Sequence, residues 1–294
     1  MATTTLQSKP VRRGFWAQLR RLPRAWVGGA MVGVMLLLTL FAPMITRDPL
    51  QQFMDGLSPT GTPLAPDANY LLGTDHLGRD MVARMLHGGR VSLFISIAAN
   101  LTAAVFGTLI GMYAGYYGGV IDTLLMRFTD IILAYPAVLL ALGFGSVLRP
   151  SIPVIILILM VITWPILARL VRSQTLTLRE RQFVESARSV GATGPYILFR
   201  HILPHTLTVT VVWFTLNIAS TVLIEAALSF LGVGVPLPTA SWGNMILEGQ
   251  SRYRIAPWMI LFPTLAILIT TLGFNLLGDA VRDALDPRTS QRLK

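Results

Sequence analysis

The sequence contains no cysteine. Disulfides, thiolate metal sites and cysteine nucleophiles are therefore excluded, and no redox compartment can be read from it. Lysine is nearly as scarce: only Lys9 and Lys294 occur, and the other 22 basic residues are arginine. A P-loop needs a lysine inside a glycine-rich turn to reach the phosphates. Neither lysine has such neighbours, so the chain has no P-loop of its own, and a Schiff-base lysine is equally out of place. The four histidines, His76, His87, His201 and His205, form no HExxH or other metal-ligand spacing, which predicts no metal site. Charge is also short. Only 13% of residues are charged while 53% are apolar. A soluble domain carries about 25% charged residues, so the deficit points to a surface that faces lipid.

What the chain does have is a net charge of +10 and long apolar runs. The arginines flank those runs and do not form one basic face, so they read as topology signals and not as a nucleic-acid groove. A membrane-crossing helix needs about 20 apolar residues. Six segments qualify: 26–45, 91–117, 123–147, 153–171, 206–231 and 258–277. The first follows a basic stretch but is too long for a signal peptide and lacks a small-residue cleavage site, so it is read as a retained span. The expectation is an all-α membrane protein with six transmembrane helices. Its basic N-terminal segment is 1–25, its extracytoplasmic segment 46–90, its core transmembrane region 91–281 and its tail 282–294.

Basic loops stay in the cytoplasm. Lys9, Arg12, Arg13, Arg20, Arg21 and Arg24 precede the first span. Arg169, Arg172, Arg179, Arg181, Arg188 and Arg200 lie around the fourth loop, and Arg282, Arg288, Arg292 and Lys294 end the chain. Six crossings put all three groups on one side, so both termini are expected to be cytoplasmic. Arg79, Arg84 and Arg90 fall on the outer side and go against the rule, with Asp75 and Asp80 as partial offset.

Local patterns refine the picture. Residues 78–88 bring Met81, Val82 and Met85 together at helical spacing, which predicts a short interfacial helix before the second span. Pro136, Pro165 and Pro263 fall inside spans and predict kinks. Gly107, Gly111 and Gly115 form a small-xxx-small ridge on which another helix can approach closely.

The stretch Arg179–Pro204 is the most informative. Phe183, Val184, Ala187 and Val190 recur near helical spacing among polar residues, which is an amphipathic helix. Gly191 and Gly194 can end it. Pro195 suits the start of a second helix, and Pro204 is expected to break that helix before the fifth span. Two short helices with a glycine corner therefore project into the cytoplasm, and their apolar face needs a partner protein or lipid headgroups to cover it.

This stretch resembles the EAA loop of importer-type ABC permeases. Glu185, Ser186 and Ala187 stand for Glu-Ala-Ala, followed by Gly191 and then Leu203-Pro204. Ser186 and His201 depart from the general pattern, although an Arg-His-Ile-Leu-Pro ending is usual in the peptide branch. Leu72–Asp80, Leu228–Gly232, Ser241–Gly243, Asn275–Asp279 and Arg282–Pro287 resemble further stretches of the "C"-type dipeptide, oligopeptide and glutathione permeases. The likeness covers nearly the whole chain. It implies the type I ABC importer permease fold, with no enzymatic activity and no cofactor in this chain. It also implies a homologous permease partner, two ATPase subunits that bind ATP and Mg, a solute-binding protein, and surrounding lipid. Glu185 would hold the loop by capping or by pairing with arginine, Ala187 would allow close packing, and Gly191 would make the corner. Ser186, His201, Leu203 and Pro204 complete the expected coupling set.

Polar residues inside spans need a reason, because they are costly there. Asp130 follows Arg127 by three positions, a spacing that allows a same-face ion pair. Asn217 and Glu225, eight positions apart, are read as sharing a face of the fifth span, with Trp213 nearby. Asp130, Trp213, Asn217 and Glu225 are the candidates for lining or gating a path. A secondary transporter or channel using Asp130 and Glu225 is the alternative. A membrane enzyme would need a clustered acid, base or metal constellation, and none is legible.

Overall fold

A computed structural model describes residues 15–285. The charges at Lys9, Arg12, Arg13, Asp286, Arg288, Arg292 and Lys294 lie outside the described residues. Among those described there are isolated bridges but no strand. Two helices lead in, α1 (Phe15–Leu19) and α2 (Pro23–Leu40), and a single turn, α3 (Ala42–Ile45), follows. The expected first span is therefore α2 with a break at Phe41, and Pro43 sits in the first turn of α3, where its missing N–H costs nothing.

The next helix corrects two expectations. α4 runs unbroken from Met81 to Tyr117. The interfacial helix expected at 78–88 is the outer end of this same helix. Asp80 caps it by accepting from the Val82 N–H (3.1 Å). At 37 residues, α4 is about 55 Å long at 1.5 Å per residue. It therefore overshoots the roughly 30 Å hydrocarbon core and carries its first turns into the segment that precedes it.

The expected third span is split. α5 (Gly119–Leu133) and α6 (Ala137–Val147) meet at an 88° bend. Pro136 lies in that break. It lacks an N–H and disfavours helical backbone in the residue before it, so the helix restarts instead of merely kinking. α7 (Ile152–Leu178) keeps Pro165 within a continuous helix and runs seven residues beyond the expected end at Val171.

Two short helices follow, α8 (Gln182–Ser189) and α9 (Gly194–Ile197). A π-helical turn at Leu198–Ile202 then runs directly into α10 (Leu203–Phe230). Pro204 was expected to break the chain here, but Gly194–Phe230 forms one long apolar helical stretch. The physical reason is visible in the hydrogen bonding. Pro204 cannot donate to the carbonyl four residues back, and the helix widens so that the Leu203 N–H reaches Leu198 O. α11 (Trp242–Gln250) and α12 (Trp258–Leu285) complete the fold. Among the described residues five helices are long and apolar enough to cross a membrane, and the bent α5–α6 pair is either a sixth, broken span or a re-entrant loop.

The tightest seam is α4 against α7. A methyl group on Gly107, Gly111 or Gly115 would lie 2.8, 2.4 or 2.7 Å from α7 atoms (Trp164 O, Ala168 O and Thr175 Cβ). The glycine ridge thus brings α4 into contact with backbone of α7, as the spacing predicts. Met112, Trp164, Leu167, Val171 and Trp213 fill the core beside this seam.

The segment 46–80 before α4 is tied down by polar contacts. The Thr74 hydroxyl donates to Gly56 O (2.6 Å) and accepts from the Leu64 N–H (2.8 Å). Trp258 Nε1 donates to Thr74 O (3.0 Å). Beneath these lies a buried quartet. Asp75 Oδ2 accepts from Arg79 Nε (2.6 Å) and Arg84 Nη1 (2.8 Å), and Arg84 Nη2 donates to Glu248 of α11 (2.5 Å). Arg84 is fully buried and Asp75 nearly so. Two of the three arginines that go against the charge rule are thereby neutralised inside the protein.

Candidate functional site

The loop between α7 and α10 is built from α8 outward. Val184 and Ala187 are buried in a cluster with Ile197, Leu198 and Ile202, so α8 folds back on the second arm of the loop. Glu185 lies in its first turn and Arg188 in its last, the arrangement that complements the helix dipole. The Arg188 guanidinium stacks over the Tyr116 ring (5.1 Å to its centroid) and ties α8 to the C-terminal end of α4. Arg179 Nη1 donates to Gly115 O (3.1 Å) and closes the other side.

The corner is a Schellman motif. The Ala192 N–H donates to Ala187 O (3.0 Å) and the Gly191 N–H to Arg188 O (2.9 Å). Gly191 has φ +83°, and nothing lies within 4 Å of where its Cβ would be. Glycine is thus required here for its left-handed backbone, not for space. His201 has Phe183 on one side (6.3 Å between ring centroids) and Tyr196 on the other (5.7 Å). This aromatic cluster joins the two arms. Leu203 packs against the same core, while Pro204 is exposed.

Other expectations for the loop change. Ser186 and Glu185 are exposed, and the Glu185 carboxylate makes no hydrogen bond or ion pair among the described residues. The expected arginine partner or cap for Glu185 is not formed. Val190, placed by its spacing with Val184 and Ala187, is 84% exposed because the helix has ended and the chain turns there. Together with exposed Tyr196 and Phe199 it leaves apolar surface at the tip of the loop.

The polar residues inside spans also separate. Asp130 pairs with Arg169 of α7, not with Arg127. A neighbouring helix supplies the counter-charge that the local spacing seemed to offer. Both members of the pair are about half exposed (49% and 50%) although they lie within spans. Nearby, Arg172 grips Asp122 through two hydrogen bonds of 2.5 Å, a pairing that local spacing does not reveal.

Trp213 is 9% exposed and partly core, yet it borders a cavity of 590 Å³ with Leu170, Asn217, Ser220 and Arg282. Asn217 Nδ2 donates to Asn100 Oδ1 (2.6 Å). Glu225 does not share that face. It is fully buried, and its Oε1 accepts from the Ser229 hydroxyl (2.9 Å). Eight residues advance a helix by about 80° beyond two full turns, enough to carry Glu225 from the cavity into the contact with α11. The shared face read from the spacing is therefore not formed.

At the Asp75 end of the bundle, Asp75, His76 and Glu248 offer ligand atoms within 4.8 Å of one another. A cation site is not what they form. Asp75 Oδ1 accepts from the Leu77 and Arg79 N–H groups (2.8 and 3.0 Å) and Oδ2 accepts from two guanidinium groups, so its lone pairs are used. Burial holds the His76 imidazole below its usual pKa, with Asp75 and Glu248 opposing the shift.

Spans, broken helix and projecting loop together make a multi-pass helical membrane protein and fit the type I ABC importer permease fold. The comparisons agree. The family model for binding-protein-dependent transport system inner membrane components matches residues 107–291. That for the N-terminal transmembrane domain of oligopeptide transport permease C matches residues 12–66. The dipeptide transport system permease protein DppC of Alkalihalophilus pseudofirmus is 38% identical over 279 residues, covering 95% of this chain and 90% of that one. The glutathione transport system permease protein GsiD of Escherichia coli strain CFT073 is 41% identical over 274 residues, covering 93% and 89%. An inward-facing structure of the MetNI methionine ABC transporter aligns with TM-score 0.54 at 20% identity, over 69% of this chain and 96% of that one. The chain belongs to the family of binding-protein-dependent transport system inner membrane components. It is a transmembrane subunit of an ABC importer, not the subunit that hydrolyses ATP.

Proposed function

We propose that this chain forms half of a translocation path for dipeptides, oligopeptides or related solutes such as glutathione, beside a homologous permease. The relatives' names support that solute class. The loop 179–204 would dock on an ATPase subunit that binds ATP and Mg, and both termini would be cytoplasmic. The observation that carries this reading is the tip of the loop. A Schellman-capped helix is anchored to α4 by Arg188 and Arg179, and it presents Glu185, Ser186 and Val190 outward with no covering element. Exposed apolar surface on a rigid projection suits a partner's groove. Movement of that partner would pass through Val184 and Ala187 into the α4–α7 core. On the path side, the exposed Asp130–Arg169 pair and the cavity beside Trp213 and Asn217 mark the surface that water and solute would meet, since a half-exposed charge pair in a span needs water or protein over it.

The test is purification of the tagged chain with its native partners, followed by ATPase measurement. Wild type should retain ATPase subunits with solute-stimulated turnover, and Gly191→Asp should lose one or both. A wild-type chain that purifies alone and moves solute down an ion gradient without ATP would overturn the reading.

A further inference from the structure

Of the three arginines clustered at the start of α4, Arg79 and Arg84 are neutralised by Asp75 and Glu248, but Arg90 is exposed and makes no ion pair among the described residues. It stands at a cavity of 790 Å³ between α2 and α4. One wall continues inward from Arg90 along α4 through Phe94 and Ile97, four and seven positions on and hence on the same helical face. Leu36 and Leu40 of α2 form the facing wall, and His87 lies one turn outward of Arg90. Gly89, beside Arg90, lets α2 close on α4: Thr39 Cγ2 and the Trp242 ring both lie 2.7 Å from where its Cβ would be.

Depth places Arg90 with respect to the bilayer. From Arg90 to the end of α4 at Tyr117 the helix rises about 40 Å. That matches the roughly 40–45 Å thickness of a bilayer with its headgroups. Arg90 therefore stands at headgroup level when Tyr117 is at the opposite surface. Its neighbours toward the membrane centre are apolar. A planar guanidinium binds phosphate through two parallel hydrogen bonds, and Asp48, whose charge acts on His87, accepts from the Leu50 N–H (2.8 Å) and makes no ion pair with Arg90.

We propose that this cavity holds one acyl chain of an anionic phospholipid, with the lipid phosphate paired to Arg90. The lipid belongs to the outer leaflet in the orientation given above. The site is separate from the loop and the path surface, and its readout is lipid retention, so it stands or falls independently of ATPase association.

The test is native mass spectrometry of the complex extracted in detergent and incubated with phosphatidylglycerol, phosphatidylcholine of the same chains, or inorganic phosphate. Wild type should retain phosphatidylglycerol over phosphatidylcholine. Arg90→Glu should weaken retention by about tenfold or more, the effect of losing one charge-assisted pair. Ile97→Trp, which fills the cavity without changing charge, should weaken it as well. Arg254→Glu, the same charge change at an exposed outer arginine away from the cavity, should retain it. Retention by Arg90→Glu equal to wild type would overturn the proposal. So would displacement of the lipid by inorganic phosphate, which would make the ligand a free anion. A cross-link from Phe94→Cys to the other permease at high yield would show protein in the groove and would overturn it too.

Discussion

Replacing Arg84 with methionine tests the buried quartet that fastens the segment before α4 to α11. In the native protein two carboxylates and two guanidinium groups balance. Arg84 is 0% exposed and bonds to both acids, at 2.8 Å to Asp75 and 2.5 Å to Glu248. Methionine fills most of the volume and adapts to irregular cavities, so the loss isolates charge from packing. It leaves Asp75 and Glu248 with only Arg79, one net negative charge that is almost wholly buried. Breaking a buried pair in this way costs about 3–5 kcal/mol. Arg84 Nε has no partner even in the native protein, which places the expected loss at the lower end, about 3 kcal/mol. Arg84→Met combined with Glu248→Gln restores neutrality and keeps the 2.6 Å Asp75–Arg79 pair. The double variant should recover roughly 1–2 kcal/mol, a coupling typical of residues in one network. Thermal unfolding of the purified complex, with limited proteolysis of residues 46–80 as a local probe, measures both. A single variant as stable as wild type would refute the quartet as a fastening. A double variant no better than the single would refute charge balance as its reason.

Gly191→Ala should destabilise the loop by about 1–2 kcal/mol through the left-handed backbone alone, with Gly191→Asn milder; hydrogen exchange of residues 182–192 distinguishes them. Gly111→Leu forces α4 off the Ala168 carbonyl and should cost about 1–3 kcal/mol, read as a lower unfolding midpoint, whereas Gly29→Leu, with open space around it, should not. For His76 the folded-state pKa lies below the unfolded one because burial disfavours the imidazolium. Its contribution is therefore present above about pH 6.5 and lost as pH falls toward the folded value. His76→Gln should flatten the acid limb of a stability–pH curve, and an unchanged limb would remove His76 as its cause. Asp130→Asn should alter stability by less than about 1 kcal/mol, because the pair is half exposed, while lowering solute uptake in vesicles; uptake equal to wild type would take the pair off the path.

The sequence by itself determined what depends on short-range pattern. Apolar run length located the five long spans because bilayer thickness sets that length, but not the bend that splits the third expected segment into α5 and α6; the glycine spacing at 107, 111 and 115 named the closest helix contact. The amphipathic run at 182–189 and Gly191 specified a capped helix at the loop, since φ preference is a property of one residue and its neighbours. Tertiary structure decided which charges meet. Arg84 and Glu248 are 164 positions apart, and Arg169 and Asp130 are 39 apart, so no local spacing could pair them or prevent the false pairing of Arg127 with Asp130. The same holds for Asn217 and Glu225, whose faces diverge by a fraction of a turn that matters only once α4 and α11 are in place. It holds also for Val190, exposed because the chain turns one residue earlier than the apolar pattern suggests. Helical periodicity records which side of a helix is apolar; whether that side meets protein, lipid or water is settled by what packs against it.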